Sequence, residues 1–253
     1  MKALLKYELR KTLTMKLIIL GITAAAELAF LIALFLRNNE GNTDNVIITT
    51  IVLLTVIAFA GILLIGVQSV MTLHRDMNTK QGYMLYMTPR NSYQILGAKM
   101  LENGISLALA GSFFFLLGFL DVTLLFQRLG QLEELWKIVE EFVSMINDQI
   151  ELNINGVICL VAEMLTSWLA TVSVAFLADI ISAALLNGKR FNGILTFVFF
   201  ILLNILLNFL QGVFIAKGTP VNTVLLIQAL IALIYSAVMY AVSAFVMDRY
   251  LSV

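Results

Sequence analysis

Six long apolar segments constrain this chain more than any other feature. They cover residues 15–36, 46–71, 100–120, 156–180, 194–216 and 221–247. An α-helix of about twenty apolar residues crosses the roughly 30 Å hydrocarbon core of a bilayer. One water-soluble core cannot absorb six such segments, and the composition agrees, since 60% of the residues are hydrophobic and only 13% are charged. We therefore predict an all-α, polytopic integral membrane protein with six transmembrane helices, forming a single membrane domain over residues 1–253.

The distribution of Lys and Arg predicts the orientation of these helices. With the N-terminus in the cytoplasm, the outer segments hold only four of the 16 basic residues, namely Arg37, Arg128, Lys137 and Lys217. Cytoplasmic loops are the ones enriched in Lys and Arg. We therefore expect both termini in the cytoplasm and residues 127–155 outside. Residues 1–14 are also basic, and they form either a simple flank of the first span or an interfacial helix on the anionic inner leaflet.

Several kinds of chemistry have no motif in this sequence. His74 is the only histidine, which excludes a zinc site built on histidines, and Ala183 stands where a phosphate-binding loop ending at Gly188-Lys189 would need glycine. The net charge is zero, and Cys159 is the only cysteine. We therefore expect no catalytic, cofactor or metal site in this chain, no internal disulfide and no nucleic-acid partner. His74 is expected to be a loop residue at a helix end with a structural or interface role.

The inner segment 72–97 is more than a simple connecting loop. It contains the run Tyr83-Met84-Leu85-Tyr86-Met87, followed by Pro89, which ends any helix before it. Aromatic and methionine side chains adapt well to the surface of a partner protein. We expect this run to dock into a groove of another protein, and packing against the membrane surface is the alternative.

The outer segment 127–155 carries a helical repeat. Apolar residues recur at steps of three and four, and acidic residues occupy the opposite face; the apolar positions are Leu132, Leu135, Val139, Phe142 and Ile146. This pattern predicts an amphipathic helix that caps the outer face or packs on a copy of itself. Its acidic face is expected to be solvated, and binding of a cationic substrate is the alternative.

A few polar residues fall inside the predicted spans. Glu27 and Glu163 lie within spans one and four, where an ionised carboxylate costs on the order of 3 kcal/mol, so each needs a partner, water or a proton. Asp121 and Asp179 lie near opposite membrane faces and are expected to reach the headgroups. Span five carries three amides on one face, and they either bond between helices or line a polar pathway; these are Asn204, Asn208 and Gln211.

The inner loop resembles a known motif. From residue 76 to residue 92 its sequence is Asp-Met-Asn-Thr-Lys-Gln-Gly-Tyr-Met-Leu-Tyr-Met-Thr-Pro-Arg-Asn-Ser, and it continues to Lys99. It is similar to the loop of bacterial type-two ATP-binding-cassette exporter permeases, in which an acidic residue, a Gly-Tyr pair, an apolar run and a proline precede the re-entering helix and its lysine. Residues 4–11, Leu-Leu-Lys-Tyr-Glu-Leu-Arg-Lys, are similar to the opening segment of the same family.

The resemblance implies a permease subunit in the bacterial plasma membrane, surrounded by lipid. Such a subunit dimerises with a second copy or a homologous permease and recruits two separate ATPase subunits, which bind ATP and Mg, so this chain itself is no enzyme. It implies that residues 79–88 form a coupling helix and residues 1–13 a connecting helix along the membrane. The coupling residues would be Asp76, Lys80, Gly82, Tyr83, Leu85, Tyr86 and Pro89.

The translocation path would lie at the dimer interface, lined in the family by spans two and five. The candidate residues for this path are Asn204, Asn208, Gln211, Glu27 and Glu163. One departure is the outer amphipathic helix, because better-known relatives carry their largest outer elements later in the chain. Two other functions stay open, namely a proton-coupled secondary transporter using Glu27 or Glu163, and a non-transporting membrane partner such as a sensor or assembly factor.

Overall fold

The chain folds into α-helices. A computed structural model describes residues 2–36, 42–78, 91–150, 154–186, 192–215 and 219–251, and among these residues it contains no β-strand. The helices are α1 (Lys2–Phe35), α2 (Asn42–Asn78), α3 (Ser92–Leu129), α4 (Leu132–Ile150), α5 (Ile154–Leu186), α6 (Asn192–Phe214) and α7 (Val221–Val246), followed by a π-helical turn at Met247–Leu251. Six of them, all except α4, are long and apolar enough to cross a membrane. The prediction of an all-α multi-pass membrane protein is confirmed.

The first helix continues past the boundary that the sequence predicts. Residues 2–16 contain no glycine or proline, so nothing interrupts the backbone hydrogen bonds before the first apolar segment. Accordingly α1 is one helix of 34 residues, about 51 Å long, which exceeds the roughly 30 Å hydrocarbon core. The structure thus has one continuous helix where the resemblance implies a connecting helix and a separate span. The orientation of residues 1–14 relative to the membrane stays a prediction.

The first of two compact units comprises residues 1–69 and 101–140. Its core forms where α1 packs against α2, and small side chains such as Ala26 and Ala33 leave room for the fully buried Phe30 between them. Ile47 and Leu54 of α2 complete this cluster, and Leu125 of α3 packs against it. Most of the remaining apolar side chains of these helices are exposed, as expected for surfaces that face lipid.

The second unit comprises residues 70–100 and 141–253. Helix α5 lies at its centre, and its residues Val174, Phe176 and Ile180 are completely buried. One apolar cluster joins α5 to the adjoining ends of α2, α3 and α7, and a second joins α5 to α6 and α7. The adjoining ends of α2 and α3, which flank the inner loop, therefore pack against α5.

Candidate functional site

The predicted coupling loop connects α2 to α3. Residues 79–90 lie outside the described part of the chain, and with them Lys80, Gly82, Tyr83, Leu85, Tyr86 and Pro89, so the roles assigned to these residues stay predictions. The two helix ends that flank the loop are described. Asp76 lies in the last turn of α2, and Ser92 is the first residue of α3.

A buried ion pair joins these two helix ends. Lys99 Nζ of α3 donates to Asp76 Oδ2 of α2 at 2.8 Å, and the side chains are only 1% and 4% exposed. Removing one partner of such a pair leaves an uncompensated buried charge, at a cost of about 3–5 kcal/mol. The sequence drew attention to both residues, but it did not predict that they bind each other across the base of the loop.

A second polar contact fixes the end of α2 to α5 and α6. His74 Nδ1 lies 2.6 Å from Asp179 Oδ1, and Thr196 Oγ1 donates to the same oxygen at 3.4 Å. The expectation that Asp179 reaches the headgroups is wrong, because its side chain is almost completely buried among these partners. The expectation that His74 lies in a loop is also wrong, since it lies in α2 near the end of that helix. Its structural or interface role stays a prediction.

The start of α3 is fixed to the C-terminal end of α7. Ser92 Oγ donates to a carboxylate oxygen of Asp248 in the π-helical turn. One turn inside α7, Tyr240 donates its hydroxyl to the backbone carbonyl of Tyr93, and the two rings meet edge to face with centroids 6.0 Å apart. Both helices that flank the predicted coupling loop are therefore held by polar contacts to the rest of the second unit.

The first unit supplies the partner that Glu27 requires. The acidic side chain of Glu27 on α1 interacts with that of Asp121 on α3. Two adjacent carboxylates repel each other when both are ionised. Asp121 is buried, which corrects the expectation that it reaches the headgroups. Glu27 Oε2 is buried and makes no hydrogen bond to the described residues.

A cavity of about 250 Å³ adjoins this carboxyl pair. Asp121 and Thr23 are among its lining residues, and the others are mostly apolar, including Phe30, Leu54 and Phe114. The sequence indicated Glu27 as a candidate polar group of the transport path. Asp121 was not among the predicted path residues. Its position, an acidic residue near the end of an apolar segment, was the sequence feature from which it could have been predicted.

Three of the other candidate path residues bond within their own helices. Ser167 donates to Glu163 Oε1 at 2.7 Å, one turn away on α5. On α6, Asn204 Nδ2 donates to the Phe200 carbonyl at 2.8 Å, and Asn208 Nδ2 donates to the Asn204 carbonyl at 3.0 Å. Asn208 is exposed on the surface of α6, and Asn204 and Gln211 are partly exposed on the same side. The amide stripe therefore lies at the edge of the packed face of α6, and Asn208 is its most exposed residue.

The described residues of the first unit include a polar cluster that the sequence did not predict. Lys16 Nζ donates to Glu102 Oε1 at 2.6 Å and to Thr12 Oγ1 at 2.9 Å, with Ser106 Oγ also in contact. Lys16 and Glu102 stand near the starts of the first and third apolar segments. Because both residues lie at the same end of their predicted spans, their positions were the sequence feature from which this contact could have been predicted. The three polar contacts use all three N–H donors of the ammonium group, so the cluster is a structural link between α1 and α3.

These contacts belong to an all-α membrane protein, and its described residues include six helices long and apolar enough to cross a bilayer. Among the described residues, no group of three or more His, Cys, Asp or Glu side chains could hold a metal ion. No protein-family model, curated protein or solved structure matches the chain. The function is therefore argued from the loop, its anchors and the polar residues of the spans.

Proposed function

We propose that this chain is the permease subunit of a bacterial ATP-binding-cassette exporter of the type-two class. In this proposal separate ATPase subunits bind ATP and Mg in the cytoplasm, and the chain lies in the plasma membrane with both termini inside. The observation that carries the proposal is the buried ion pair of Lys99 and Asp76 at the base of the loop that resembles the permease motif. A loop held rigidly at its base transmits a displacement to the spans, whereas a loosely held loop absorbs it.

The contacts around the ion pair support this role. His74 and Ser92 connect the flanking helices to Asp179 of α5 and Asp248 beyond α7. A force applied to residues 79–90 would therefore be transmitted to α2, α3, α5 and α7 together. A loop that merely joins two spans has no need of buried charged residues on both sides, because burying charge is costly unless it is paired.

The exposed amides of α6 support the second part of the proposal, dimerisation. Asn208 lies six residues before the end of the apolar helix α6 and is exposed. Its Nδ2 donates to the Asn204 carbonyl, but surrounding hydrocarbon offers no hydrogen-bond partner to its side-chain oxygen. Asn carries both donor and acceptor, so two copies of the stripe related by a two-fold axis can satisfy each other. A second copy of the chain, or a homologous permease, would place a polar path at this interface.

The proposal is tested at the loop itself. The chain is purified in mild detergent from its own organism, and the associated ATPase subunit and its ATP hydrolysis are measured. Tyr83→Ala combined with Tyr86→Ala should reduce ATPase co-purification at least tenfold, because aromatic anchors of an interface contribute about 2 kcal/mol or more each. Glu134→Ala combined with Glu141→Ala on α4 is the matched control and should change nothing. Wild-type association of the tyrosine variant would remove the main support for an exporter.

A second candidate function is a proton-coupled secondary transporter, and one observation favours it. Glu27 and Asp121 interact with each other, and Asp121 lines a cavity of about 250 Å³ between α1, α2 and α3. Two adjacent acids resist full ionisation, so in this alternative one proton stays between them and is exchanged for a substrate. Transport driven by a pH gradient in vesicles containing the chain alone, with no ATPase, would favour this function over the exporter.

A further inference from the structure

Helix α4 has two sharply different faces. On a helical projection at 100° per residue, its apolar residues occupy roughly half of the circumference; they include Leu135, Trp136, Val139, Phe142 and Val143. The other half is polar and mainly acidic, and it carries Glu133, Glu134, Lys137, Glu140 and Glu141. Trp136 lies at the edge of the apolar face, next to the polar half.

The apolar face of α4 is not covered by the described residues of the chain. Leu135 is buried, but Trp136 is 57% exposed and Phe142 is 63% exposed. Val143 and Met145 are exposed as well. An apolar surface of this extent does not stay in water on a folded protein, so it must contact another apolar phase.

The chain connections of α4 identify that phase. Gly130, with a φ of 72°, turns the chain between the end of α3 and the start of α4. Only residues 151–153 connect α4 to α5, and three residues reach roughly 10 Å. Helix α4 has 19 residues and is about 28 Å long, so it cannot stand upright on the membrane with both of its ends tied to spans.

The lipid-facing surfaces of the neighbouring spans come close to both ends of α4. On α3, exposed apolar side chains continue through Val122 and Leu124, less than two turns before the helix ends. On α5, they begin at Val157 and Ile158, within its first two turns. The hydrocarbon boundary therefore lies within a few residues of each end of the amphipathic helix.

We propose that α4 is a membrane-surface helix, which inserts its apolar face into the boundary between headgroups and acyl chains on the side where α3 ends and α5 begins. Its acidic half then faces water. Because that half carries four glutamates and one lysine in residues 133–141, anionic lipid does not attract it, and the apolar face alone drives binding to the surface. Trp136, at the edge of the apolar face, lies at the level that tryptophan prefers in bilayers.

The test uses Trp136 as a native fluorescent probe. The chain contains two tryptophans, so Trp168→Phe leaves Trp136 as the only one. The full-length variant is reconstituted into phosphatidylcholine vesicles containing lipids brominated near the headgroup or deep in the acyl chain. We expect strong quenching by the shallow bromines, weaker quenching by the deep ones, and at least threefold protection from aqueous acrylamide relative to free tryptophan. Replacing a third of the lipid with anionic phosphatidylglycerol should not increase the bromine quenching.

Two other results would overturn the proposal. Acrylamide quenching equal to that of free tryptophan would place the apolar face in water. Protection from both acrylamide and bromolipid, lost when the protein is diluted in the vesicles, would show that α4 packs on a second copy instead.

Phe142→Glu should raise acrylamide quenching at least twofold and weaken bromine quenching, whereas Glu134→Gln combined with Glu141→Gln on the polar face should leave both unchanged. Circular dichroism of each variant verifies that the helices are intact.

Discussion

Lys99 and Asp76 bind each other across the base of the loop that joins α2 to α3, with 2.8 Å between Nζ and Oδ2. Asp76 lies three residues before residues 79–90, and Lys99 lies nine residues after them. The pair is almost completely buried, so its charges are screened little by water and depend on each other. This contact converts two separate helix ends into one rigid base.

The first prediction concerns this pair. Lys99→Met alone or Asp76→Leu alone should each destabilise the protein by about 3–5 kcal/mol, because each leaves one buried charge without its partner. The double variant should be more stable than either single variant, since apolar side chains of similar volume tolerate the same burial. Thermal unfolding in detergent measures the stability, and the double-mutant cycle gives the coupling between the two residues. Additive effects in the cycle would contradict the ion pair.

The double variant also distinguishes a role of the ion pair in stability from a role in coupling the permease to ATP hydrolysis. If the rigid base is needed for function, Asp76→Leu with Lys99→Met should fold but should lose substrate-stimulated ATP hydrolysis in the purified complex. The control is Lys16→Met with Glu102→Leu, which removes an ion pair of the first unit that does not flank the loop. Full coupled hydrolysis in the loop-base double variant would mean that the pair serves folding alone.

The second prediction concerns topology. The excess of Lys and Arg in the termini and in the second and fourth connections predicts that Lys2 and Ser252 are inside and Glu141 is outside. Single cysteines at these positions, in a Cys159→Ser background, are probed with an impermeant thiol reagent on intact cells. Only the cysteine at position 141 should react until the cells are permeabilised. Labelling of position 2 or 252 in intact cells, without labelling of 141, would reverse the orientation.

Much of the fold follows from the sequence because hydrocarbon leaves few alternatives. Each of the six apolar segments lies largely within an observed long helix, since backbone groups in a bilayer must bond within their own helix. Helix ends are less predictable, as α3 shows. Its apolar segment was placed at 100–120, but the helix extends over Ser92–Leu129 because helical hydrogen bonding continues through charged residues such as Lys99 and Arg128.

The partners of the polar residues could not be predicted in the same way. The sequence indicated that Glu27 needs a partner, but that partner is Asp121, which lies on a helix far along the chain. The pairing of polar residues depends on the rotation of each helix about its axis and on the axial offset between helices. The hydropathy of the sequence determines neither of these quantities. For the same reason Asp179 was expected at the membrane surface but is buried against His74.

The third prediction concerns the exposed amides of α6. If they bond between two copies, Asn208→Leu should weaken dimerisation by about 0.6–2 kcal/mol for each hydrogen bond lost. The dimer fraction is measured by single-molecule photobleaching at decreasing protein-to-lipid ratios. The control is Leu206→Ile, on the opposite face of α6, which should leave the dimer unchanged. A dimer fraction in Asn208→Leu equal to that of wild type would show that the stripe does not form the interface.

The last prediction concerns Glu27 and Asp121, and it discriminates between the two proposed functions. Glu27→Gln replaces the acid with an amide that can donate to the Asp121 carboxylate, so folding should be retained. Glu27→Leu leaves Asp121 buried without its partner and should lower the unfolding temperature clearly below that of Glu27→Gln. If the pair is structural in an ATP-driven exporter, ATP hydrolysis by the complex of the Glu27→Gln variant should stay close to the wild-type rate.

Proton flux across vesicle membranes tests the alternative function, the proton-coupled secondary transporter. Vesicles containing the chain alone, with a trapped pH-sensitive dye, should show no substrate-dependent proton flux if the protein is an exporter subunit. The matched control is Glu163→Gln, because Glu163 accepts a hydrogen bond from Ser167 of its own helix. Wild-type proton flux without any ATPase, abolished by Glu27→Gln and preserved in Glu163→Gln, would assign transport to the shared proton. That result would replace the exporter with the secondary transporter, because a proton released by the pair would then be the driving ion.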